Sequence, residues 1–269
     1  MKNDLGSRMK EYEAVSKHKL VRRVPVIIRL DGKAFHTFTK GFDRPFDELL
    51  KTTMQKTTAD LCKNIQGCKI GYTQSDEISL LLTDYESIDT DAWFDNSQSK
   101  METISSSMAT LFFNKHFNDE VELFKNNYEN NTSLSDEEKL KYSKLLNVYK
   151  KKLMTAIFDS RARNYPKDEV VNYFIWRQQD ATRNSIQMVG QFYFNDTEMK
   201  HKNTSMVQEM LFSQHGINWN NYPVDCKRGA CIIKETYILE ETKAVRSRWV
   251  TDKETPIFSQ DRDYISKYL

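Results

Sequence analysis

The sequence lacks long apolar segments and has few proline and glycine residues, which are the features of membrane proteins and of flexible linkers between domains. It carries only five proline and eight glycine residues among 269, and neither type clusters into a linker, which favours one domain over residues 1–269. Its apolar runs, such as residues 78–82, which Ser79 interrupts, are far shorter than the roughly 20 residues that cross a bilayer. The N-terminus does not resemble a signal peptide. These absences predict a cytoplasmic protein without a membrane partner.

Charge of one sign and metal-ligand clusters are also missing. Forty Lys and Arg residues against thirty-eight Asp and Glu give a net charge of only +2, which disfavours a nonspecific DNA-coating protein. The four cysteines have spacings of C-x5-C and C-x4-C, and the five histidines form no H-x3-H or HExxH group. Nothing therefore predicts a zinc site, and we expect reduced thiols.

Hydrophobic periodicity predicts alternating strands and helices in the first half of the chain. An apolar strand over 26–30 precedes a helix over 46–61, and two short strands at 70–72 and 78–82 form a hairpin. A long amphipathic helix begins near residue 101. This β-α-β-β-α order predicts an α+β fold in which helices pack on one face of an antiparallel sheet.

The second half is less regular. Ser135 and Glu138 form a capping-box signature before a charged helix. We therefore predict a helical insertion or arm over about 119–155. Its lysine run at 150–152 is either a solvated face or a contact for RNA phosphates. Residues of about 200–269 are predicted as a C-terminal extension of the same domain.

Two strand ends carry the acids that best fit phosphate chemistry. Asp31 ends an apolar strand and is followed by Gly32, whereas Asp76 and Glu77 lie at the tip of the predicted hairpin. Mg²⁺ prefers oxygen ligands and keeps several waters, so one or two carboxylates plus substrate phosphates can hold it. The sequence predicts a divalent-metal site at Asp31 and Asp76, with Glu77 in a supporting or turn-capping role.

The segment 173–184 combines aromatic, basic and amide side chains, and it has two interpretations. Trp176 and Arg177 could stack on unpaired bases and grip phosphates. Alternatively, the segment is a core helix in which Arg177 pairs with Asp180 three residues later. The residues alone leave both interpretations open.

Four segments together closely resemble the tRNA(His) guanylyltransferase family. They are 28–36 (IRLDGKAFH), 75–77 (SDE), 158–161 (FDSR, followed by Tyr165 and Pro166) and 173–180 (YFIWRQQD). Each motif is weak alone, but their order and spacing are specific, and the similarity extends over about residues 5–230. The resemblance implies a palm-like fold shared with 5′-to-3′ polymerases, in an enzyme that adds nucleotides in the 3′-to-5′ direction.

The resemblance also implies roles for individual residues. Asp31 and Asp76 would be catalytic and, with the Gly32 carbonyl, would bind two Mg²⁺ ions. Nucleotide would be bound, through amides and side chains, by Lys33, Ala34, Phe35, His36, Arg44, Asp47, Ser75 and Lys100. Asp47 would read guanine or serve only as a helix cap. The residues expected to contact tRNA or to be structural are Arg161, Trp176, Arg177, Gln178, Asp180 and Asn184.

Two departures from the family pattern bear on the substrates. The arginine pair that often precedes the phosphate-binding lysine is replaced by Asn96 and Ser97. After Asp180, where eukaryotic members have His-Ile-Asn-Asn-Leu-Tyr-Asn, this chain has Thr-Arg-Asn-Ser-Ile-Gln-Met over 182–188. The chain thus resembles the bacterial and archaeal guanylyltransferase-like proteins.

That branch implies ATP activation of a tRNA 5′ end, templated repair of that end with GTP or other nucleoside triphosphates, and a homotetramer. Three alternatives stay open. They are G addition at the −1 position of tRNA(His), a palm-type nucleotide cyclase, and a non-catalytic tRNA-binding protein.

Overall fold

A six-stranded antiparallel sheet forms the centre of the protein. The computed structural model describes residues 4–131, 133–240 and 242–269. The strands are β1 (Val26–Gly32), β2 (Cys68–Gln74), β3 (Glu77–Leu82), β4 (Phe158–Asn164), β5 (Ala230–Ile238) and β6 (Val245–Asp252). They lie in the order β4-β1-β3-β2-β5-β6, and every neighbouring pair is antiparallel.

The helices flank and extend this sheet. They are α1 (Leu5–Ala14), α2 (Phe35–Phe38), α3 (Glu48–Asn64), α4 (Gln98–Asn130), α5 (Asp136–Lys150), α6 (Lys167–Tyr193), α7 (Asp196–Met199), α8 (Thr204–His215), α9 (Val224–Arg228) and α10 (Asp263–Ser266). None of the helices in the described ranges combines the length and hydrophobicity needed to span a membrane.

Side chains alternate between the two faces along each strand, and both faces of the central strands β1, β2 and β3 are buried. Ile28 and Leu30 of β1 face one core with Phe113 of α4. Ile27 of β1 faces a second core with Phe174 of α6. The predicted α+β class and antiparallel sheet are confirmed. The prediction of helices on one face was incomplete, because α6 covers part of the opposite face.

The two predicted appendages are joined to the main body. Ser135 caps α5 in the predicted capping box, and Leu146 and Tyr149 of that helix are buried in the core beneath α4. The stretch of about 119–155 is thus the distal part of α4 followed by α5. Residues of about 200–269 include β5 and β6, which extend the sheet rather than lie outside it.

Candidate active site

The ends of β1 and of the β2–β3 hairpin bring the two predicted catalytic acids to one place. The N–H of Gly32 donates to the carbonyl oxygen of Asp76 at 3.1 Å, and Asp31 lies opposite Glu77 in the β1–β3 register. Ser75 adopts a left-handed conformation with φ 50° in the two-residue turn, and its hydroxyl donates to the Asp76 carboxylate at 3.1 Å. The turn therefore fixes Asp76 beside the end of β1.

The electrostatics of this pair favour a bound cation. Burial raises the pKa of Asp76, and the negative charge of Asp31 raises it further. The pKa of Asp31 is raised by burial and then by Asp159. Within the described ranges, neither Asp31 nor Asp76 forms a salt bridge with Lys or Arg. A divalent cation would offset this repulsion, so the donor set fits the expected metal.

The protein offers few metal ligands beyond these two carboxylates. In the part of the chain that the structure describes, no group of three or more His, Cys, Asp or Glu side chains could hold a metal ion. Magnesium tolerates such a site because water and substrate phosphates complete its octahedron. The arrangement therefore suits a metal that arrives with a nucleotide better than a permanently enclosed structural ion.

Asp159 is a neighbour of the site that sequence reasoning missed. It lies directly opposite Asp31 across the β1–β4 ladder. The FDSR motif contains this acid, but its proximity to Asp31 depends on a strand pairing between residues far apart in sequence. The period-two pattern could have predicted only that Asp159 and Arg161 share one side of their strand.

Glu77 is held by α6 rather than left free for a metal. The guanidinium of Arg177 donates to both of its carboxylate oxygens, at 2.7 and 2.6 Å, and also to Asp180 at 3.0 Å. Gln178 is also buried, and it bridges to the backbone of Pro256 and Phe258. For Arg177, Gln178 and Asp180, the contacts match the structural interpretation of the segment.

The residues after Gly32 divide into core and surface positions. Phe35 is 3% exposed and packs against the rings of Phe38, Phe113 and Phe158. Its side chain therefore does not face the triphosphate, which corrects our expectation; only its amide is left for that role. Lys33, Ala34 and His36 are exposed.

Packing against the core leaves no room for a side chain at Gly32. A Cβ at this position would lie 2.3 Å from the Phe35 ring, far inside van der Waals contact. Ala34 follows in the left-handed conformation with φ 55°. The backbone thus turns tightly over the Phe35 ring before α2 begins.

Asp47 acts as the cap of α3. Its carboxylate accepts bonds from the amides of Leu50 at 2.8 Å and Asp43 at 2.9 Å, and from the Tyr149 hydroxyl at 2.6 Å. A guanine edge would have to compete with these three donors. The geometry matches the capping alternative rather than base reading by the carboxylate. Arg44 is exposed on the same loop.

A cleft opens beside the Ser75 turn, between α3 and α6. Its empty volume is about 660 Å³ including the open mouth. Apolar walls come from Phe46, Leu50, Met54, Ala181, Met188 and Ala230, and the predicted residues Asp47, Ser75 and Asn184 also line it. This mixture of apolar walls and a few polar groups suits a nucleobase.

The floor of the cleft contains an ion pair that sequence analysis did not identify. The Lys51 ammonium binds Asp225 at 3.1 Å and Glu48 at 2.8 Å, and Gln55 donates to Asp225 at 3.0 Å. Lys51 and Asp225 are 174 residues apart, so only the fold unites them. These charges are already satisfied and shape the cleft.

Lys100 lies farther from the carboxylates. Its neighbours on α4, Gln98 and Glu102, bond the backbone of Ala162, which pairs with Ile28, three residues before Asp31. This offset corresponds to roughly 10 Å along the strand. The Lys100 ammonium lies 5.9 Å from the ring centroid of Phe94.

Comparisons with known proteins bear on the chemistry of this site. A family model described as Thg1, tRNAHis guanylyltransferase, matches residues 6–166. An uncharacterized protein of Acanthamoeba polyphaga mimivirus is 29% identical over 255 residues, covering 89% of this chain and 80% of its own. A probable tRNA(His) guanylyltransferase of Dictyostelium discoideum is 28% identical over 229 residues, covering 80% and 77%.

A solved structure resembles nearly the whole chain. It is a bacterial tRNA(His) guanylyltransferase-like protein in complex with ATP, 42% identical over 98% of both chains, with a TM-score of 0.82. A structure of such a protein in complex with GTP gives a TM-score of 0.76 at the same identity. The matched residues therefore include those of the strands, the turn and the cleft described above.

Proposed function

This chain belongs to the tRNAHis guanylyltransferase family and is a nucleotidyltransferase, and from that premise we propose that it repairs tRNA 5′ ends by templated 3′-to-5′ nucleotide addition. The observation that carries this proposal is the pair Asp31 and Asp76, two acids that form no salt bridge with any described residue and that lie beside a cleft with apolar walls. The identity of 42% with a bacterial guanylyltransferase-like protein, against 28% with the Dictyostelium enzyme, supports the repair branch.

The reaction we propose has two transfers. First, the 5′-monophosphate of the tRNA attacks the α-phosphorus of ATP, and pyrophosphate leaves. Next, the 3′-hydroxyl of the incoming nucleotide attacks the activated 5′ phosphorus, and AMP leaves. The new 5′ end carries the incoming triphosphate, which is then removed or used in the next addition.

The residues of this chain would position charge for both transfers. Two Mg²⁺ ions, held by Asp31, Asp76 and the Gly32 carbonyl, would supply the positive charge that activates the hydroxyl and neutralises the leaving group. The hydrogen bond between Gly32 and Asp76 keeps the two acid-bearing strand ends at a fixed separation. Exposed Lys33 and His36 would bind the triphosphate as it enters.

The role of Asp47 supports templated choice of the nucleotide. Its carboxylate already caps α3 and accepts three bonds, so it does not offer guanine a free pair of acceptors. If the opposite strand of the acceptor stem selects the base by Watson–Crick pairing, the cleft needs only to accept a planar ring. The protein would then recognise the shape and phosphates of the tRNA.

The test is a gel assay with a 5′-truncated tRNA beside full-length tRNA(His), with ATP for activation and each nucleoside triphosphate supplied singly. We expect the paired, missing position to be restored by the complementary nucleotide. We also expect Asp31→Ala and Asp76→Ala to lose both activation and addition while their circular dichroism stays that of the wild type.

Each rival function has its own outcome in that assay. A single untemplated G on tRNA(His) alone would replace repair with −1 addition. A cyclic product from ATP or GTP without tRNA would identify a cyclase. Binding of tRNA without magnesium-dependent 5′ labelling would identify a non-catalytic binding protein, and near-normal turnover in folded Asp76→Ala would remove the metal proposal.

The family resemblance also supports two expectations about context. We propose a homotetramer, which light scattering coupled to size-exclusion chromatography would detect. We also propose a cytoplasmic site of action, because tRNA substrates are met there.

A further inference from the structure

Two successive cross-strand pairs next to the site have like charges. Arg29 of β1 lies directly opposite Arg161 of β4, and Asp31 lies directly opposite Asp159. All four side chains are on the same side of the sheet, because residues two apart share a side. Like charges directly opposite one another destabilise a sheet. The Arg29 and Arg161 charges partly offset that of Asp31, and the expected metal would take over this role at the acids and leave the guanidinium pair to bind an anion.

The side of the sheet that carries these pairs is open at β4. Helix α6 covers its central strands, where the Tyr173 hydroxyl contacts Ser79 at 2.9 Å, but Asp159, Arg161 and Arg163 remain exposed. Among the described residues, Arg161 forms one salt bridge, with Asp159 at 3.9 Å, and both side chains are more than half exposed. Such a pair contributes little, so the Arg161 guanidinium is available to an anion.

Trp176 of α6 lies next to this uncovered side of β4. It is 47% exposed, whereas Arg177, the next residue, is buried. The guanidinium groups of Arg177 and Arg29 lie 4.4 and 5.7 Å from its ring centroid. Tyr173 packs edge-on against the indole at 5.8 Å and 78°, which limits its motion. The half-exposed indole lies beside Arg29, which in turn pairs across the strands with the exposed Arg161, and these groups are the components for binding a nucleotide of a single strand.

We propose that Arg29, Arg161 and Trp176 form a shelf that binds the RNA strand beside its reacting 5′ end. The arginines would contact a phosphate of the strand and the indole would stack on a base. Arg29 and Asp31 are two residues apart, about 6.6–6.8 Å along β1, so the bound phosphate lies next to the site of transfer. This inference rests on the proposed function and assigns its RNA substrate to a surface.

The experiment measures binding of a 3′-labelled, 5′-truncated tRNA by fluorescence anisotropy, and binding of ATP and GTP by calorimetry. We expect Trp176→Ala to weaken tRNA binding by about 5- to 150-fold, the range for loss of one base–aromatic stack. Trp176→Phe keeps an aromatic face and should restore most of the affinity. Phe212→Ala, at an α8 residue that is 62% exposed, is the matched control and should bind as the wild type does.

Arg161→Gln tests the phosphate contact separately. We expect the slope of log affinity against log salt to become shallower by about 0.7–0.9, the value for one lost phosphate contact. The control is Arg248→Gln, at an arginine on β6 that is 61% exposed, which should keep the wild-type slope. Nucleotide affinity should be unchanged in all five variants.

The outcomes separate the shelf from the proposed function. Wild-type protein that extends tRNA, together with Trp176→Ala and Arg161→Gln variants that bind it as tightly as wild type, would overturn the shelf alone. Loss of nucleotide affinity in step with tRNA affinity would also overturn it, because the shelf would then bind free nucleotide. Wild-type protein that extends no tRNA would overturn the proposed function itself.

Discussion

Replacing Arg177 by Met should show how strongly α6 holds the turn that carries Asp76. The Arg177 guanidinium forms two hydrogen bonds with Glu77 and one with Asp180. In this ion pair the side chains of Arg177 and Glu77 are only 8% and 9% exposed. The substitution leaves the Glu77 carboxylate buried without its cation, directly after Asp76 in the chain.

The magnitude follows from that burial. Removing one partner of a buried ion pair costs about 3–5 kcal/mol, because the remaining charge is uncompensated. Replacing both partners by apolar groups of similar volume is often neutral or stabilising. We therefore expect Glu77→Met combined with Arg177→Met to recover a large part of the loss, since Asp180 keeps its contact with Arg183.

Urea unfolding, followed by both tryptophan fluorescence and circular dichroism, measures these differences where the two transitions coincide. The matched control is Arg248→Met, which breaks an exposed pair with Glu235 at 3.2 Å and should cost no more than about 1 kcal/mol. A loss below about 1 kcal/mol for Arg177→Met would refute the reasoning. So would a double variant less stable than the single one.

Two further predictions concern the walls of the site. Gly32→Ala should lower the melting temperature, because its Cβ would lie 2.3 Å from the Phe35 ring and overpacking costs about 1–3 kcal/mol; calorimetry showing an unchanged transition would contradict this account. Tyr149→Phe should destabilise the protein by about 1–3 kcal/mol, because the buried Asp47 carboxylate loses one of three donors. The preference of this variant between GTP and ATP should not change. An altered preference would indicate that the Asp47 carboxylate recognises the base.

Local patterns were sufficient for the elements that carry the acids. The apolar run before Asp31, the short hairpin around Asp76 and the capping box at Ser135 each depend on residues close in sequence, and each corresponds to an observed strand, turn or cap. Period-two alternation does not reveal how many layers cover a sheet. This is why α6 was not assigned to the second face, although residues 26–28 are all apolar.

The roles of other residues depend on contacts between segments that are far apart in sequence, and local patterns do not predict such contacts. The Arg177 to Asp180 pair was predictable from helical spacing, but the pair of Arg177 with Glu77 joins residues 100 positions apart. Phe35 looked like part of a nucleotide loop because it follows the acid and glycine, yet the rings that bury it come from α4 and β4. A motif identifies residue types, whereas packing decides which of them face a ligand.

Acidic side chains in this protein differ in whether a basic side chain neutralises them, and this difference indicates where a cation would bind. Glu77 and Asp225 are buried acids, and each has a guanidinium or ammonium partner from a distant helix. Asp31 and Asp76 form no salt bridge in the described ranges, and burial together with neighbouring acids raises the pKa of both, although nearby arginines offset part of this rise at Asp31. The fold thus compensates buried acids elsewhere but leaves this pair repelling. A cation that binds only the folded state would reduce the repulsion between Asp31 and Asp76, and it would stabilise the protein by mass action. We therefore expect a cation at these two acids to raise the free energy of unfolding more than a cation bound near the acids that already have a partner.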